Sequence, residues 1–111
     1  MVYNPAAAAE SLMLEADELK EILDLFFEDA DSLLEQVMAA LDAQNSKEII
    51  RILHNLKGSA ANLRFETIAG IAAKLETEAK QGNFEVIPSQ LPGLQAEIRS
   101  AQEDVERYFH K

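Results

Sequence analysis

The stretch "SKEIIRILHNLKGSAANL", Ser46 to Leu63, carries two patterns on one segment. Ile49, Ile52, Leu53, Leu56, Ala60 and Leu63 recur at the three- and four-residue spacing that lines up one side of a helix with 3.6 residues per turn. His54, Lys57, Gly58, Ala61 and Asn62 fall on the other side. The spacing predicts a helix over residues 46–63, with Asn45 or Ser46 as its cap; Asn45 with Glu48 three residues on resembles a capping box. An apolar stripe of this width has to be covered by other elements of the chain.

Those elements are legible on both sides. Upstream, helical spacing runs from about Ser11 to about Ala43 through Leu12, Leu19, Ile22, Leu23, Phe26, Phe27, Ala30, Leu33, Leu34, Val37, Met38 and Leu41, with a break near residues 15–17. Before it, "MVYNPAAAA" reads as a loose arm or a short first helix. Downstream, a connection at residues 64–66 leads to Ile68, Ile71, Ala72, Leu75 and Ala79, with Gly82 as the stop. "GNFEVIPSQLPG" reads as turn and loop, with a helix start at Ser89 and Pro92 in the first turn, where a missing N–H has no intrahelical partner. Leu91, Leu94, Ile98, Ala101, Val105 and Tyr108 continue the stripe to the C-terminus. Four amphipathic helices with short connections bury their stripes against one another. The expected fold is therefore all-α, an antiparallel four-helix bundle with a short N-terminal arm or helix. It is read as one domain over residues 1–111, with the bundle core at about 12–108.

The totals agree. A chain of 111 residues can bury a core without staples, and an apolar share of 48% with few aromatics, four glycines and three prolines favours helices. The absence of cysteine excludes a disulfide framework, a thiolate metal site and a cysteine nucleophile. No apolar run is long enough for a membrane span, and the first nine residues lack the pattern of a signal peptide, so the expectation is a cytoplasmic protein without a membrane partner. A formal charge of −10 opposes nucleic-acid binding. A self-contained bundle is expected to be a monomer. No Gly-rich nucleotide loop is present, so the chain is not expected to phosphorylate itself. The Glu-x-x-His pairs of bundle di-metal sites are also missing, and no metal ligands are assigned.

His54 is then a histidine that the core does not need, beside a lysine one turn on and a patch almost without side chains. A mid-helix glycine costs about 1 kcal/mol against alanine, and its usual compensation is close approach by another surface. A neutral imidazole nitrogen is a nucleophile, and a neighbouring ammonium offsets the charge of a phosphoryl group bound to it. About a turn centred on Phe65, His54 lies eleven residues before and Glu76 eleven after, so antiparallel helices set the two level. Glu76 either accepts from the ring, fixing its tautomer, or only pairs with Lys80 four residues on; Lys80 in turn offers a second positive charge. Phe26 and Phe27 are read as core residues, with one of them open to an apolar partner surface. Ser59 and Asn62 are structural or rim positions, and His110 is inert.

"HNLKGSAANL" resembles the signature of the histidine phosphotransfer (HPt) domain family, through His54, Leu56, Lys57, Gly58, Ser59, Asn62 and Leu63, with Leu75 and Glu76 at the family's later Leu-Glu or Leu-Gln step. The resemblance runs from about Leu12 to Tyr108. It implies a phosphocarrier, not an enzyme in its own right: His54 as phospho-acceptor, Lys57 as phosphate partner, Glu76 as ring-orienting acceptor and Gly58 as the point of close approach. Ala61, Asn62, Arg64 and Lys80 complete the docking surface. The implied partners are response-regulator receiver domains and a sensor histidine kinase in a two-component phosphorelay. No cofactor is held by the chain, and magnesium is supplied by the receiver. Glutamate at position 76 resembles the phosphotransfer domains that serve chemotaxis-type kinases, which is the first alternative; a non-catalytic helical adaptor is the second. Arg64 stands where the family usually has glycine and adds a cation near the docking surface.

Overall fold

The computed structural model describes residues 3–110 and consists of five α-helices and one 3-10 turn: α1 Pro5–Leu12, α2 Ala16–Asp42, α3 Ser46–Asn62, α4 Glu66–Lys80, the turn Phe84–Val86, and α5 Ile87–Phe109. Helices α2 to α5 pack in an up-down-up-down ring, with α2 next to α3 and α5, and α4 next to α3 and α5. The result is a rod with axes of 43, 22 and 21 Å. The four-helix bundle is present as expected, and the N-terminal segment forms a helix.

The core follows the stripes. Leu19, Leu23, Phe27, Ala30 and Val37 of α2 face Ile49, Ile52, Leu53, Leu56 and Ala60 of α3, closed by Ile68, Ala72, Leu75 and Ala79 of α4 and by Ile87, Leu94, Ile98 and Val105 of α5, all buried. Ile22 and Met38, two members of the α2 stripe, are exposed. Phe26 and Phe27 are both buried, so neither is exposed on the surface as the sequence suggested.

Helix boundaries are set by one recurring device. In a Schellman ending, a residue in the left-handed region lets its own N–H and the next one satisfy the last free carbonyls. Gly82, at φ 81°, does this after α4, with Asn83 N–H donating to Glu78 O at 2.9 Å. Met13 (φ 59°), Gln44 (φ 55°) and Arg64 (φ 70°) do the same after α1, α2 and α3. Phe65 N–H, for instance, donates to Ala60 O at 2.8 Å. Non-glycine residues rarely adopt this conformation, which is why the sequence hides the stop at Met13. The break expected near residues 15–17 falls at Met13, and Ser11 lies in the last turn of α1, a helix started by Asn4, whose side chain accepts from Ala7 N–H, and by Pro5.

Two further expectations are corrected. Asn45 caps α3, accepting from Glu48 N–H at 3.2 Å, but the box is not closed, because the Glu48 carboxylate is taken by Arg51. Helix α5 begins at Ile87 and not at Ser89, and much of the expected loop is helical. Pro88 takes the first-turn place assigned to Pro92, while Pro92 sits inside the helix on an exposed position, where water can reach the backbone group it frees.

Candidate functional site

Helix α3 turns its apolar side inward and leaves His54, Asn55, Gly58, Ser59, Ala61 and Asn62 exposed, with Lys57 half-buried. The α3–α4 turn at residues 63–65 sends the chain back antiparallel, and Glu76 of α4 arrives level with His54. Nδ1 of His54 and Oε2 of Glu76 are 2.9 Å apart. Of the two readings open for Glu76, the first is the one seen, since the carboxylate meets the ring; it also pairs with Lys80, at 3.2 Å, but not with Lys80 only. Lys57 Nζ holds its other oxygen at 2.7 Å.

The burial is uneven in a way that matters. The Glu76 side chain is 4% exposed, the only buried charged residue among those described, whereas the His54 side chain is 62% exposed. A buried carboxylate is tolerated only when its lone pairs are met, and here three donors meet them. The hydrogen bond from Lys57 lowers the Glu76 pKa most, to about 2, with Lys80 and His54 assisting and desolvation opposing. An ionised carboxylate can only accept, so the proton between it and the ring belongs to Nδ1 of the histidine. That leaves the Nε2 lone pair of a largely exposed ring open to solvent. Two ammonium groups around one carboxylate also leave one positive charge in excess beside the ring.

The remaining sequence-selected residues divide. A Cβ built on Gly58 meets nothing within 4 Å, so no neighbour in this chain requires glycine there. Arg64 is directed to the N-terminal side of the molecule. Its Nε donates to Ser11 Oγ at 3.1 Å, and Nη1 donates to Asn62 O at 2.9 Å and Ala61 O at 3.3 Å. Beside the histidine helix runs a feature that the sequence did not disclose, a shallow groove of about 200 Å³ between α2 and α3, lined by Ile22, Leu25, Phe26, Leu33, Ser59 and Leu63 among others. Leu25 is 57% exposed and Ile22 39%. The available signal was Leu25 itself, a large apolar residue lying off the core stripe of α2. Among the described residues, no group of three or more His, Cys, Asp or Glu side chains is placed to hold a metal ion, and no helix is long and apolar enough to cross a membrane.

Comparison with curated proteins and with solved structures gives no match. Comparison with protein families does: residues 21–104 match the family described as the Hpt domain. The matched span runs from the first turns of α2 almost to the end of α5 and contains His54, Lys57, Gly58, Glu76 and Lys80. On that match, over well more than half of its length, the chain belongs to the Hpt domain family, helical-bundle phosphocarrier modules of histidine phosphotransfer in two-component phosphorelays.

Proposed function

We propose that His54 is the phospho-acceptor of this domain, that its Nε2 is the reacting atom, and that it exchanges a phosphoryl group with the aspartate of receiver domains. The observation that carries the proposal is the 2.9 Å contact between Nδ1 and a buried, ionised Glu76 under a ring otherwise open to solvent. The Nε2 lone pair attacks phosphorus of the acyl phosphate, the P–O bond to the aspartyl carboxyl breaks, and the freed carboxylate leaves with that electron pair. The ring gains positive charge as the N–P bond forms. The Glu76 carboxylate, accepting from Nδ1–H, stabilises that charge without taking the proton, the role a buried aspartate plays toward a catalytic histidine. The reverse step uses the same contacts.

Lys57 and Lys80 supply the excess positive charge for the phosphoryl oxygens. Gly58, Ala61 and Asn62 form an open approach to the ring, and the α2–α3 groove with its exposed Ile22 and Leu25 receives the apolar part of the receiver. Magnesium and the aspartate belong to the receiver, so the chain acts as a carrier and holds no cofactor of its own. We place it in the cytoplasm as a monomer.

A second reading is favoured by one residue, the glutamate at position 76, which suits a domain phosphorylated directly by a chemotaxis-type kinase. Incubation with phosphorylated receivers, and separately with candidate kinases and ATP, followed by mapping of acid-labile, base-stable label, tests the proposal. Label at His54 from a receiver supports the carrier role, and label from the kinase alone favours the second reading. Absence of label from every donor would leave a helical adaptor without phosphoryl chemistry.

A further inference from the structure

The N-terminal segment reaches the α2–α3 groove through two routes. The Tyr3 hydroxyl donates to Leu63 O at 2.8 Å, and Leu63 is a wall of the groove. The Tyr3 ring stacks on Phe65, with centroids 4.0 Å apart and planes inclined by 27°, and Phe65 stacks in turn on Phe26 at 5.0 Å and 22°. Phe26 is another wall of the same groove. Both routes converge on the α3–α4 turn, where Arg64 holds a left-handed backbone and hydrogen-bonds to Ser11 of α1. Tyr3 N–H also donates to Asp104 Oδ2 of α5 at 3.2 Å, which ties the segment to the far side of the bundle. None of these groups touches His54 or Glu76.

We infer that Tyr3 and α1 form a positioning element for partner docking, holding Leu63 and Phe26 so that the groove is already shaped when a receiver arrives. The inference rests on the docking role given to that groove above. A buried aromatic stack has few ways to rearrange, so removing its outermost ring frees Phe65, then Phe26. A groove that must be reordered at each encounter binds more weakly although the histidine is unchanged. Tyr3 therefore acts on affinity for the partner and not on the chemistry of the ring.

The test separates these two. His54 is labelled with phosphoramidate, a small donor that needs no groove, and with the phosphorylated receiver that reacts fastest with the parent protein. Tyr3→Ala removes both routes, whereas Tyr3→Phe keeps the stack and loses the hydroxyl. Labelling by phosphoramidate should stay within about twofold in both variants, while KM for the receiver rises about tenfold in Tyr3→Ala and less in Tyr3→Phe, with kcat unchanged. NMR signals of Leu25 and Ser59 should move in Tyr3→Ala. An unchanged KM, a fall confined to kcat, or an equal loss with phosphoramidate would each overturn the inference. A parent protein labelled at His54 by neither donor would instead overturn the phospho-acceptor reading.

Discussion

At Gly58, stability and transfer should move in opposite directions. In the middle of α3 a glycine costs up to about 1 kcal/mol relative to alanine, from the backbone freedom it loses on folding. The added Cβ meets nothing within 4 Å, so neither a clash nor new packing alters that figure. Gly58→Ala should therefore stabilise the domain by about 0.5–1 kcal/mol, a rise in melting temperature of roughly 2–5 °C for a chain of this size. Gly58→Gln should recover much of the same gain. Its side chain, however, would stand one turn from His54 and next to Ser59 of the groove, in the space an aspartyl phosphate must enter. Displacing reacting atoms by even about 1 Å can cost on the order of a hundredfold in rate, so transfer to Gly58→Gln should fall by about that factor, and transfer to Gly58→Ala by much less. Calorimetry and receiver-to-His54 transfer on the same preparations decide it. A glutamine variant that transfers at the parental rate refutes the open-approach argument. One that melts lower than the parent shows that this face of α3 is packed.

His54→Gln should melt within about 1 °C of the parent, since the ring is mostly solvated, and should take up no label; surviving label would reassign the acceptor. Glu76→Ala should leave the ring tautomers mixed, read from imidazole nitrogen shifts, and slow transfer several-fold; a parent-like tautomer signal would show that the carboxylate does not fix it. Acid stability gives a signed test. Glu76 is held at about 2 against an ordinary 4.5, so its stabilisation is complete above 4.5 and is lost as pH falls through 2. The shift equals at most about 3 kcal/mol, nearer about 2 once screening of the exposed His54 and Lys80 is allowed for, and Glu76→Gln should remove about that much of the fall in unfolding free energy, measured by urea titration, between pH 5 and 2. Tyr3 has the opposite sign. Burial pushes its phenol to about 12, with Arg64 partly opposing, so stability should be flat below pH 10 and decline toward 12, a decline that Tyr3→Phe should lack.

What the sequence revealed depended on where chemistry left a visible mark. Helix α3 was legible because its polar and apolar sides are cleanly divided, and α4 because Gly82 marks its end. The level pairing of His54 with Glu76 followed from counting residues about one turn, since two straight antiparallel helices fix the register. The break after Leu12 was misplaced because Met13, and not a glycine, takes the left-handed position there. The start of α5 was misplaced because two prolines competed for one role and the second turned out to be tolerated on a solvated face. The groove, the docking of Tyr3 and the direction of Arg64 were not legible at all. Each depends on which helices become neighbours, and no local pattern in the Tyr3 segment or around Leu25 encodes that.

One nitrogen is open on one side of a slim rod, its twin being occupied by Glu76. With His54 as the proposed acceptor, a donor and an acceptor would need the same atom along the same approach, and their visits would have to alternate. Throughput should then peak at an intermediate concentration of partners: with too few, the carrier waits loaded, and with too many, unphosphorylated visitors occupy the only berth and stall the traffic. A cell could retune such a relay by changing partner abundance alone, with no change in any rate constant of the carrier.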